Sequence, residues 1–328
     1  MIKALTPARF RLVVQAVFTL FNVYVGFRFV AFLAWATGES DKFVGKPGAV
    51  EAFLPISALL AFRQWISTGQ WDMVHPAGLT IFLAIVVMAF LFRKGFCAYV
   101  CPVGFLSNLV DRAGRKIKLS LVPHKWVDYP LTSVKYLGLG FFGYTVFLAM
   151  DLRSVQSFLT APYNMVADAK MLTFFTEPSA ISIMVVAALA LFSLVFRNAW
   201  CRYLCPYGAL LGLVSWVSPV AVTRDESTCI NCGKCTKGCP AAIKVEEKMA
   251  VRSPECIGCM ECVGNCPVEG CLTVKAAGRV RIPWLAVGVG CVLVLLGFWA
   301  WAQATGHWNV EMPPFMFKQI YTTFLGVV

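Results

Sequence analysis

The chain has 328 residues, of which 59% are apolar and only 14% are charged, and its mean hydropathy is +0.70. Soluble domains are about 45–50% apolar and about 25% charged, so the composition excludes an ordinary soluble domain and favours a membrane protein. The length and the many aromatic residues also exclude a disordered chain, a collagen and a disulfide-stapled mini-protein.

Five apolar stretches are candidates for helices that cross the hydrocarbon layer, which is about 30 Å thick. The first is long for a cleaved signal peptide, carries Arg28 and Trp35, and lacks a small-residue cleavage site, so we expect it to remain as a helix. The second is short, but its weakly polar neighbours extend it. The sequence predicts an α-helical membrane protein with about five transmembrane helices, at residues 11–36, 78–92, 131–150, 180–196 and 283–303.

The net charge of +12 is distributed unevenly among the loops between these stretches. Alternate loops, beginning with the N-terminus, hold 21 Lys and Arg residues, whereas the other loops hold 6. This alternation is typical of membrane topology and not of a nucleic-acid groove, so no nucleic-acid partner is expected. We expect a multi-pass protein of a bacterial inner membrane, with the N-terminus and residues 93–130 and 197–282 in the cytoplasm and the C-terminus in the periplasm. The basic 93–130 loop would lie against anionic lipid headgroups.

A C-x-x-x-C-P motif occurs twice, with its first cysteines 104 residues apart. Each copy also carries an Arg, an aromatic residue, a Tyr and a Gly in register, which indicates an internal duplication. Two predicted spans precede each copy, so the two membrane halves would be parallel repeats related by an axis along the membrane normal. Cysteines at i and i+4 share one face of a helix, so each pair would face that axis as a dithiol. The pairs are Cys97 with Cys101 and Cys201 with Cys205.

Neither dithiol alone supplies four ligands, but two that meet at one axis would do so. We predict that the four cysteines jointly hold a [4Fe–4S] cluster at the cytoplasmic edge of the membrane. One alternative is that each pair is a packing feature or a transient redox pair at a helix end. Another is that each pair holds its own cluster with borrowed ligands.

Residues 223–275 hold nine of the 14 cysteines and have the composition of a separate polar domain. The spacing C-x-x-C-x-x-C-x-x-x-C-P occurs twice, which is the pattern of a bacterial ferredoxin with two [4Fe–4S] clusters. In this pattern three cysteines of each run bind one cluster and the fourth binds the other. The predicted ligand sets are Cys229, Cys232, Cys235 and Cys266 for the first cluster, and Cys256, Cys259, Cys262 and Cys239 for the second.

The competing interpretations of these two runs are a zinc ribbon and a set of disulfides. A zinc site uses two separated pairs of ligands, whereas each run here has four cysteines within eleven residues. Disulfides are disfavoured in a reducing cytoplasm. Cys271 and Cys291 fall outside any spacing, and we interpret them as residues without a ligand role.

The predicted organisation therefore has four parts. Residues 1–130 and 131–222 form the two membrane repeats, residues 223–275 form an inserted α+β ferredoxin, and residues 276–328 form a last transmembrane helix with an outer tail.

The combination of paired C-x-x-x-C-P motifs with ferredoxin cysteines resembles the membrane-bound polyferredoxins of the NapH and NosR type, to which the CcoG/FixG oxidase-assembly proteins are related. The resemblance covers nearly the whole chain. It implies iron–sulfur electron transfer linked to quinone and quinol, commonly as the quinol dehydrogenase subunit of a membrane redox complex that feeds a periplasmic reductase. Two departures are the lack of a NosR-like N-terminal flavin-binding domain and the fifth span after the ferredoxin.

Haem is not expected, because a b haem needs axial ligands such as His between helices. The three histidines, His75, His124 and His307, lie at or beyond the ends of the spans, and no C-x-x-C-H motif occurs. A quinone site would need aromatic walls and a proton acceptor. The first outer loop offers Arg63, Trp65, Trp71, Asp72 and His75, but an aromatic belt and a polar loop cap explain each of them better, so none is assigned to a site.

No catalytic residue is assigned. The first functional hypothesis is an electron-transfer subunit between the quinone pool and a partner oxidoreductase. The alternatives are an assembly or metal-reducing factor for a respiratory oxidase and a structural anchor for a catalytic complex.

Overall fold

The computed structural model describes residues 5–325, which are mostly helical. The α-helices in this part of the chain are α1 (Pro7–Ala36), α2 (Pro55–Thr68), α3 (Pro76–Phe92), α4 (Pro102–Lys116), α5 (Lys125–Tyr144), α6 (Leu152–Leu159), α7 (Pro162–Met165), α8 (Ala167–Thr176), α9 (Ala180–Val195), α10 (Pro206–Trp216), α11 (Lys234–Lys237), α12 (Glu261–Asn265), α13 (Trp284–Thr305) and α14 (Pro314–Leu325). A 3₁₀-helix spans Gly48–Phe53, and π-helical turns span Phe96–Val100, Thr145–Ala149 and Trp200–Leu204.

Three helices are long and apolar enough to cross a membrane, namely α1, α13, and α5 together with the π-helical turn that follows it. α8 and α9 would form a fourth span if taken together, with a bend of 79° between them, and α3 is apolar but shorter. Large apolar side chains on these helices are exposed, including Phe27 (72%) and Leu137 (73%). Such surfaces are unfavourable in water and suit lipid. The protein is thus a membrane protein, and all five predicted stretches coincide with helices, while the number that cross the membrane stays a prediction.

The chain divides into two compact units. The first, called the cysteine unit below, comprises Met1–Thr19, Ile85–Gly140 and Ala187–Leu295. The second, called the helical unit, comprises Leu20–Ala84, Phe141–Val186 and Leu296–Val328. All 14 cysteines of the sequence belong to the cysteine unit.

The cysteine unit contains a four-stranded antiparallel sheet with the order β2-β1-β3-β4. Its strands are β1 (Val220–Arg224), β2 (Ala250–Val251), β3 (Leu272–Ala276) and β4 (Val280–Ile282). Val222 pairs with Val251 on one side and with Val274 on the other. Because alternate strand residues point to the same face, these three valines enter one buried core. The first ferredoxin run connects β1 to β2 and the second connects β2 to β3, so the sheet anchors both cysteine loops.

The helical unit is held together by apolar contacts between the C-terminal part of α1 and segments that follow much later in the chain. Phe32, only 1% exposed, packs edge-on against Phe317 and Tyr321 of α14. A second cluster joins Leu60 of α2 to Leu159 of α6. Arg63 donates hydrogen bonds to the carbonyl oxygens of Val146 and Met150, which the π-helical turn leaves without helical partners.

Candidate iron–sulfur sites

The first ferredoxin ligand set lines one cavity of about 350 Å³ in the cysteine unit. Three of its predicted ligands belong to the first run and the fourth to the second run, which is the interleaved grouping expected from the spacing. Among them, Cys232 is exposed and the others are partly buried. The four are Cys229, Cys232, Cys235 and Cys266.

The second ligand set lines a separate cavity of about 370 Å³. It is more enclosed than the first, since Cys239 and Cys259 are buried and apolar side chains such as Val222 and Val251 complete the wall. Its four cysteines are Cys239, Cys256, Cys259 and Cys262. The structure therefore brings each predicted ferredoxin set together around its own cavity.

Left-handed backbone conformations turn each run around its cavity. In the first run Asn231 and Gly233 have φ of 51° and 67°, and in the second run the equivalent Gly258 and Met260 have φ of 69° and 59°. Asn and Gly adopt this region readily, whereas Met rarely does. These turns lie on either side of the second cysteine of each run and direct successive thiols toward the same cavity. A Cβ on Gly258 would also lie 2.8 Å from the carbonyl oxygen of Phe92, so the second loop passes close to the end of α3.

The donor sets fit [4Fe–4S] clusters, because each cavity presents at least four thiols with apolar walls. Within residues 5–325, no group of three or more His, Cys, Asp or Glu side chains is arranged to hold a single metal ion. Thiols spread around a cavity suit a larger inorganic group bound at several corners. Burial raises the pKa of the Cys239 thiol to about 11, so binding to iron would supply the positive charge that favours the thiolate.

The four cysteines of the C-x-x-x-C-P motifs also lie together. Cys97 is close enough to interact electrostatically with Cys101, Cys201 and Cys205, and Cys201 interacts with Cys101 and Cys205 in the same way. Cys97 and Cys201 line a third cavity of about 440 Å³. Burial raises the pKa of Cys101 to about 11 and that of Cys201 to about 12. The donor set again consists of four partly buried cysteines, and it fits the same kind of group.

The two motif copies share one backbone conformation, but it is not the regular helix that we expected. Cys97 and Cys201 lie in π-helical turns, and Cys101 and Cys205 end these turns in extended conformations before a proline begins the next helix. The expectation that each pair shares one face of a continuous α-helix is therefore wrong. The proline explains this, because it disfavours helical conformation in the residue before it.

Each second cysteine caps the helix that follows it. The Cys101 sulfur accepts a hydrogen bond from the Gly104 N–H at 3.4 Å, and the Cys205 sulfur accepts one from the Gly208 N–H at 3.3 Å. Helix α4 thus begins at one pair and α10 at the other. A Cβ on Gly104 would lie 2.7 Å from the Cys97 carbonyl oxygen, which explains the glycine in the first copy.

The arginine that begins each motif copy binds the backbone of the ferredoxin. Arg93 donates to the Ser253 carbonyl at 2.6 Å, shortly before Cys256. Arg197 donates to the Cys239 carbonyl at 3.2 Å. Each copy therefore holds one of the two loops that carry ligands of the second cavity, and the repeated arginine has the same structural role twice.

Further contacts join the third cavity to the same loops. Asn198 donates to the Pro240 carbonyl at 3.0 Å, and Arg202 donates to the Ala241 carbonyl at 2.5 Å. Arg202 is oriented by a bidentate pair with Asp128 at 3.0 and 2.7 Å. A bidentate Arg–carboxylate pair fixes the guanidinium plane, so this arginine is positioned to hold the loop.

A buried charge cluster lies beside the third cavity. The Glu255 carboxylate contacts Lys135 Nζ at 2.5 Å, Lys94 Nζ at 3.5 Å and the Tyr136 hydroxyl at 2.9 Å. Burial acts to raise the pKa of Glu255, but the ammonium groups of Lys94 and Lys135 hold it at about 2. Glu255 therefore stays charged. Because it directly precedes Cys256, its contacts link the second ferredoxin loop to Lys94 and Lys135.

The sequence pattern alone did not predict a role for these charged residues. Lys135 lies within a predicted span, and a lysine there is costly unless it faces the protein interior and finds a partner. That rule is the signal that could have identified it. Arg11 of α1 is a similar case, since it lies 2% exposed and pairs with Glu261 of α12 at 2.7 Å.

The helical unit holds a second group of buried ionisable side chains, which we call the polar array: Lys46, Glu51, Asp72, His75, Asp168 and Tyr321. Lys46 Nζ lies 2.7 Å from Asp168 and 3.4 Å from Glu51, and His75 Nδ1 lies 3.4 Å from Glu51. Although burial acts to lower it, the Glu51 carboxylate raises the pKa of His75.

Three atoms of the polar array are buried without a hydrogen-bond partner, namely Glu51 Oε1, Asp72 Oδ2 and His75 Nδ1. His75 Nε2 contacts the Asn164 carbonyl at 2.8 Å, so this nitrogen carries a proton and Nδ1 is left to accept one. Asp72 and His75 were sequence candidates for a quinone site, and the structure places both in this array. Trp71 lies beside it, donating to the Pro76 carbonyl at 3.1 Å.

We expect Glu255→Gln to lower the free energy of unfolding by about 3–5 kcal/mol, because it leaves two buried ammonium groups without their anion. The matched control is Glu247→Gln, which breaks an exposed pair with Lys244 and should change little, as exposed pairs do. Thermal unfolding of the purified proteins in detergent measures both. Equal effects of the two substitutions would contradict the role given to Glu255.

Comparison with known proteins identifies the same segments. The family model described as "4Fe-4S binding domain" matches residues 74–120 and again 178–223, so that each match includes one C-x-x-x-C-P motif. The model described as "4Fe-4S dicluster domain" matches residues 222–274, which include both ferredoxin runs. No solved structure matches the chain.

The chain is similar to YccM of Escherichia coli, a protein named for electron transport, with 37% identity over 93% of this chain and 88% of YccM. It is also similar to the ferredoxin-type protein NapH of Escherichia coli, with 25% identity over 57% of this chain and 61% of NapH. The methylamine utilization ferredoxin-type protein MauN of Paracoccus denitrificans is 30% identical over 52% of this chain and 56% of MauN. These relatives confirm the resemblance inferred from the cysteine motifs, and the chain belongs to the family of ferredoxin-type, membrane-bound iron–sulfur electron-transfer proteins that includes YccM and NapH.

Proposed function

We propose that the protein carries electrons from the membrane quinol pool to a partner oxidoreductase of a membrane redox complex through three [4Fe–4S] clusters. The observation that carries this proposal is the presence of three cysteine-lined cavities in one compact unit. Each cluster would supply reversible one-electron transfer when bound. The role of the chain is to hold, separate and insulate the three sites.

The proposed ligands are the three groups of four cysteines described above. Cys229, Cys232, Cys235 and Cys266 would hold the first cluster, Cys239, Cys256, Cys259 and Cys262 the second, and Cys97, Cys101, Cys201 and Cys205 the third. The first two groups each line their own cavity, and in the third group Cys97 and Cys201 line a cavity while all four cysteines lie close together, which supports this assignment.

The order of the sites follows from the residues that they share. Pro240, Ala241 and Ile257 line both the second and the third cavities. The first and second cavities are connected through Cys239 and Cys266, because each of these cysteines comes from the run that mainly lines the other cavity. Cys232 of the first cavity is exposed. We therefore propose a route from the third site through the second to the first, where a partner subunit would receive the electrons.

We expect about 12 iron atoms per chain, against about 8 for the ferredoxin alone. Cys97→Ser combined with Cys201→Ser should remove about four irons and leave the two ferredoxin signals in the electron paramagnetic resonance (EPR) spectrum, because both substitutions fall in the third cavity. The control is Cys291→Ser, which alters a buried cysteine of α13 outside the three cavities and should keep all the iron.

A wild-type content of about 8, or a double variant that loses no iron, would contradict the third site. A content near 16 would instead show that each motif pair holds its own cluster with other ligands.

Oxidation of a quinol releases two protons along with two electrons, so the reaction needs a proton acceptor near the reacting hydroxyl groups. The polar array of the helical unit supports this part of the proposal. His75 Nδ1 and Asp72 Oδ2 are buried and lack hydrogen-bond partners, and Trp71, which precedes Asp72 in the chain, packs against the aromatic rings of Trp301 and His307. Ionisable groups inside a membrane protein are costly and commonly mark proton or substrate pathways.

We expect a quinol analogue to reduce the clusters of the purified protein, and Glu51→Gln to slow that reduction by about 10²-fold, the usual contribution of a general base. The reason is that a neutral Gln no longer raises the pKa of His75, so His75 becomes a weaker proton acceptor. Stopped-flow absorbance measures the rate, and reduction by dithionite shows whether the clusters themselves are intact. Glu177→Gln, at an exposed carboxylate of the same unit, is the control. Clusters that quinol leaves oxidised in the wild type, with a competent partner present, would refute the quinol link.

We also propose that all five apolar helices span a bacterial inner membrane, with residues 1–130 and 131–222 as parallel repeats, a ferredoxin at 223–275 and a last span within 276–328. The match of one family model at both 74–120 and 178–223 supports the duplication. The alternation of 21 against 6 basic residues between loops supports a cytoplasmic N-terminus and ferredoxin and a periplasmic C-terminus.

Reporter fusions test this topology. A reporter that needs the cytoplasm should be active after residues 120 and 245, and one that needs the periplasm should be active after residue 328, because the charge distribution orients the spans. A periplasmic reporter that is active after residue 245 would contradict both the topology and the cytoplasmic ferredoxin.

A further inference from the structure

The first and second cavities differ in their number of cysteines. Four cysteines line the second cavity, whereas five line the first, because Cys271 joins the four predicted ligands there. Cys271 lies outside the repeated spacing, so no ligand role was predicted for it from the sequence. The structure places it where a ligand would be.

The backbone holds Cys271 firmly in this position. It directly follows Gly270, which has a φ of 79°, and directly precedes β3. Its N–H donates to the Val268 carbonyl at 3.3 Å, and its own carbonyl accepts from the Asp225 N–H at 2.8 Å. The residue is only 3% exposed. Cys271 is therefore a fixed part of the cavity wall.

The thiol of Cys271 lies among the predicted ligands. It is close enough to both Cys229 and Cys266 to interact with their sulfur atoms. Its other contacts are a long hydrogen bond of 3.7 Å to the Asp225 carbonyl and an interaction with the Thr228 side chain, while Cys266 lies on its cavity side. A buried cysteine often serves only as a small apolar residue, but such a role does not require five sulfur atoms around one cavity.

We propose that Cys271 is a reserve ligand of the first cluster, able to replace Cys266 at one iron. The proposal rests on the ligand assignment of the proposed function. In the exchange, the bond from iron to the Cys266 sulfur breaks and a bond to the Cys271 sulfur forms. The Cys271 thiol gives up its proton and the released Cys266 thiolate takes one up, so the step involves no oxidation or reduction. The exchange preserves four thiolate ligands when Cys266 is lost to substitution or oxidation.

The chain contains a matched control for this proposal. Cys266 and Cys239 are the fourth cysteines of their runs, each followed by proline, but only the cavity of Cys266 has a fifth cysteine. Cys266→Ala should keep the wild-type iron content and a four-iron EPR signal for the first cluster with altered g-values, since a different cysteine now binds. Cys239→Ala should lose the second cluster, and Cys271→Ala alone should keep all the iron.

The double variant Cys266→Ala with Cys271→Ala should lose the first cluster, which tests whether Cys271 is the replacement. The full-length protein in detergent is used throughout, and Cys266→Ser repeats the measurement with a smaller change of side chain. The proposal is refuted if Cys266→Ala and Cys266→Ser both lose about four irons, or if either loses one iron and shows a three-iron signal. It is also refuted if the double variant keeps the first cluster, or if Cys271→Ala alone loses it.

These outcomes are distinct from a failure of the proposed function. A wild-type protein that holds about 12 irons, with a Cys266→Ala variant that holds about 8, would refute the reserve ligand and leave the three-cluster proposal intact. A wild-type protein with fewer than about 8 irons would refute the ligand assignment itself.

Discussion

A [4Fe–4S] cluster requires four thiolates around one small volume, and this requirement accounts for the architecture of the cysteine unit. No run of this chain places all four of its cysteines around one cavity. The fourth cysteine of each ferredoxin run crosses to the other cavity, and the motif cysteines come from segments 104 residues apart. Bringing such distant segments together costs conformational entropy. The sheet anchors both loops, and left-handed turns shape them. Both features restrict the chain before any iron binds, so less conformational entropy is lost when the cluster forms.

Charged side chains hold the ferredoxin loops in place, because they bind backbone carbonyl groups that apolar packing alone would leave without hydrogen-bond partners. Arg93 and Arg197 bind backbone carbonyls of the two ferredoxin loops. Glu255 lies between Lys135 of α5 and Lys94, which follows α3. Buried polar groups are tolerated only when they are paired. These contacts therefore favour a single position of the loops, because a displaced loop would leave several buried charges without partners.

Much of the site could be predicted from sequence, because the spacing of metal-ligating cysteines is a local property. The runs beginning at Cys229 and Cys256 indicated two interleaved sets, and the structure groups these cysteines in that way. The apolar stretches likewise predicted where the long helices lie. The conformation of the C-x-x-x-C-P motifs was predicted incorrectly. The expected i and i+4 neighbours assume a helix, but the second cysteine of each motif precedes a proline and is therefore extended. The position of Cys271 and the partners of Glu255 depend on contacts between distant segments, which spacing along the chain does not reveal.

The capping of α4 and α10 by cysteine sulfur has a thermodynamic consequence. Helix N-termini carry a partial positive charge that stabilises nearby anions, and Cys101 and Cys205 each occupy one of these ends. Lys94 adds a full positive charge near Cys97 and Cys205. A cluster held there becomes more negative by one unit when it accepts an electron, so this surrounding field favours the reduced form and raises the reduction potential. A cluster at the third site could therefore be reduced by a mild reductant. The difference between its midpoint potential and those of the other two clusters would set the driving force for electron transfer toward the partner.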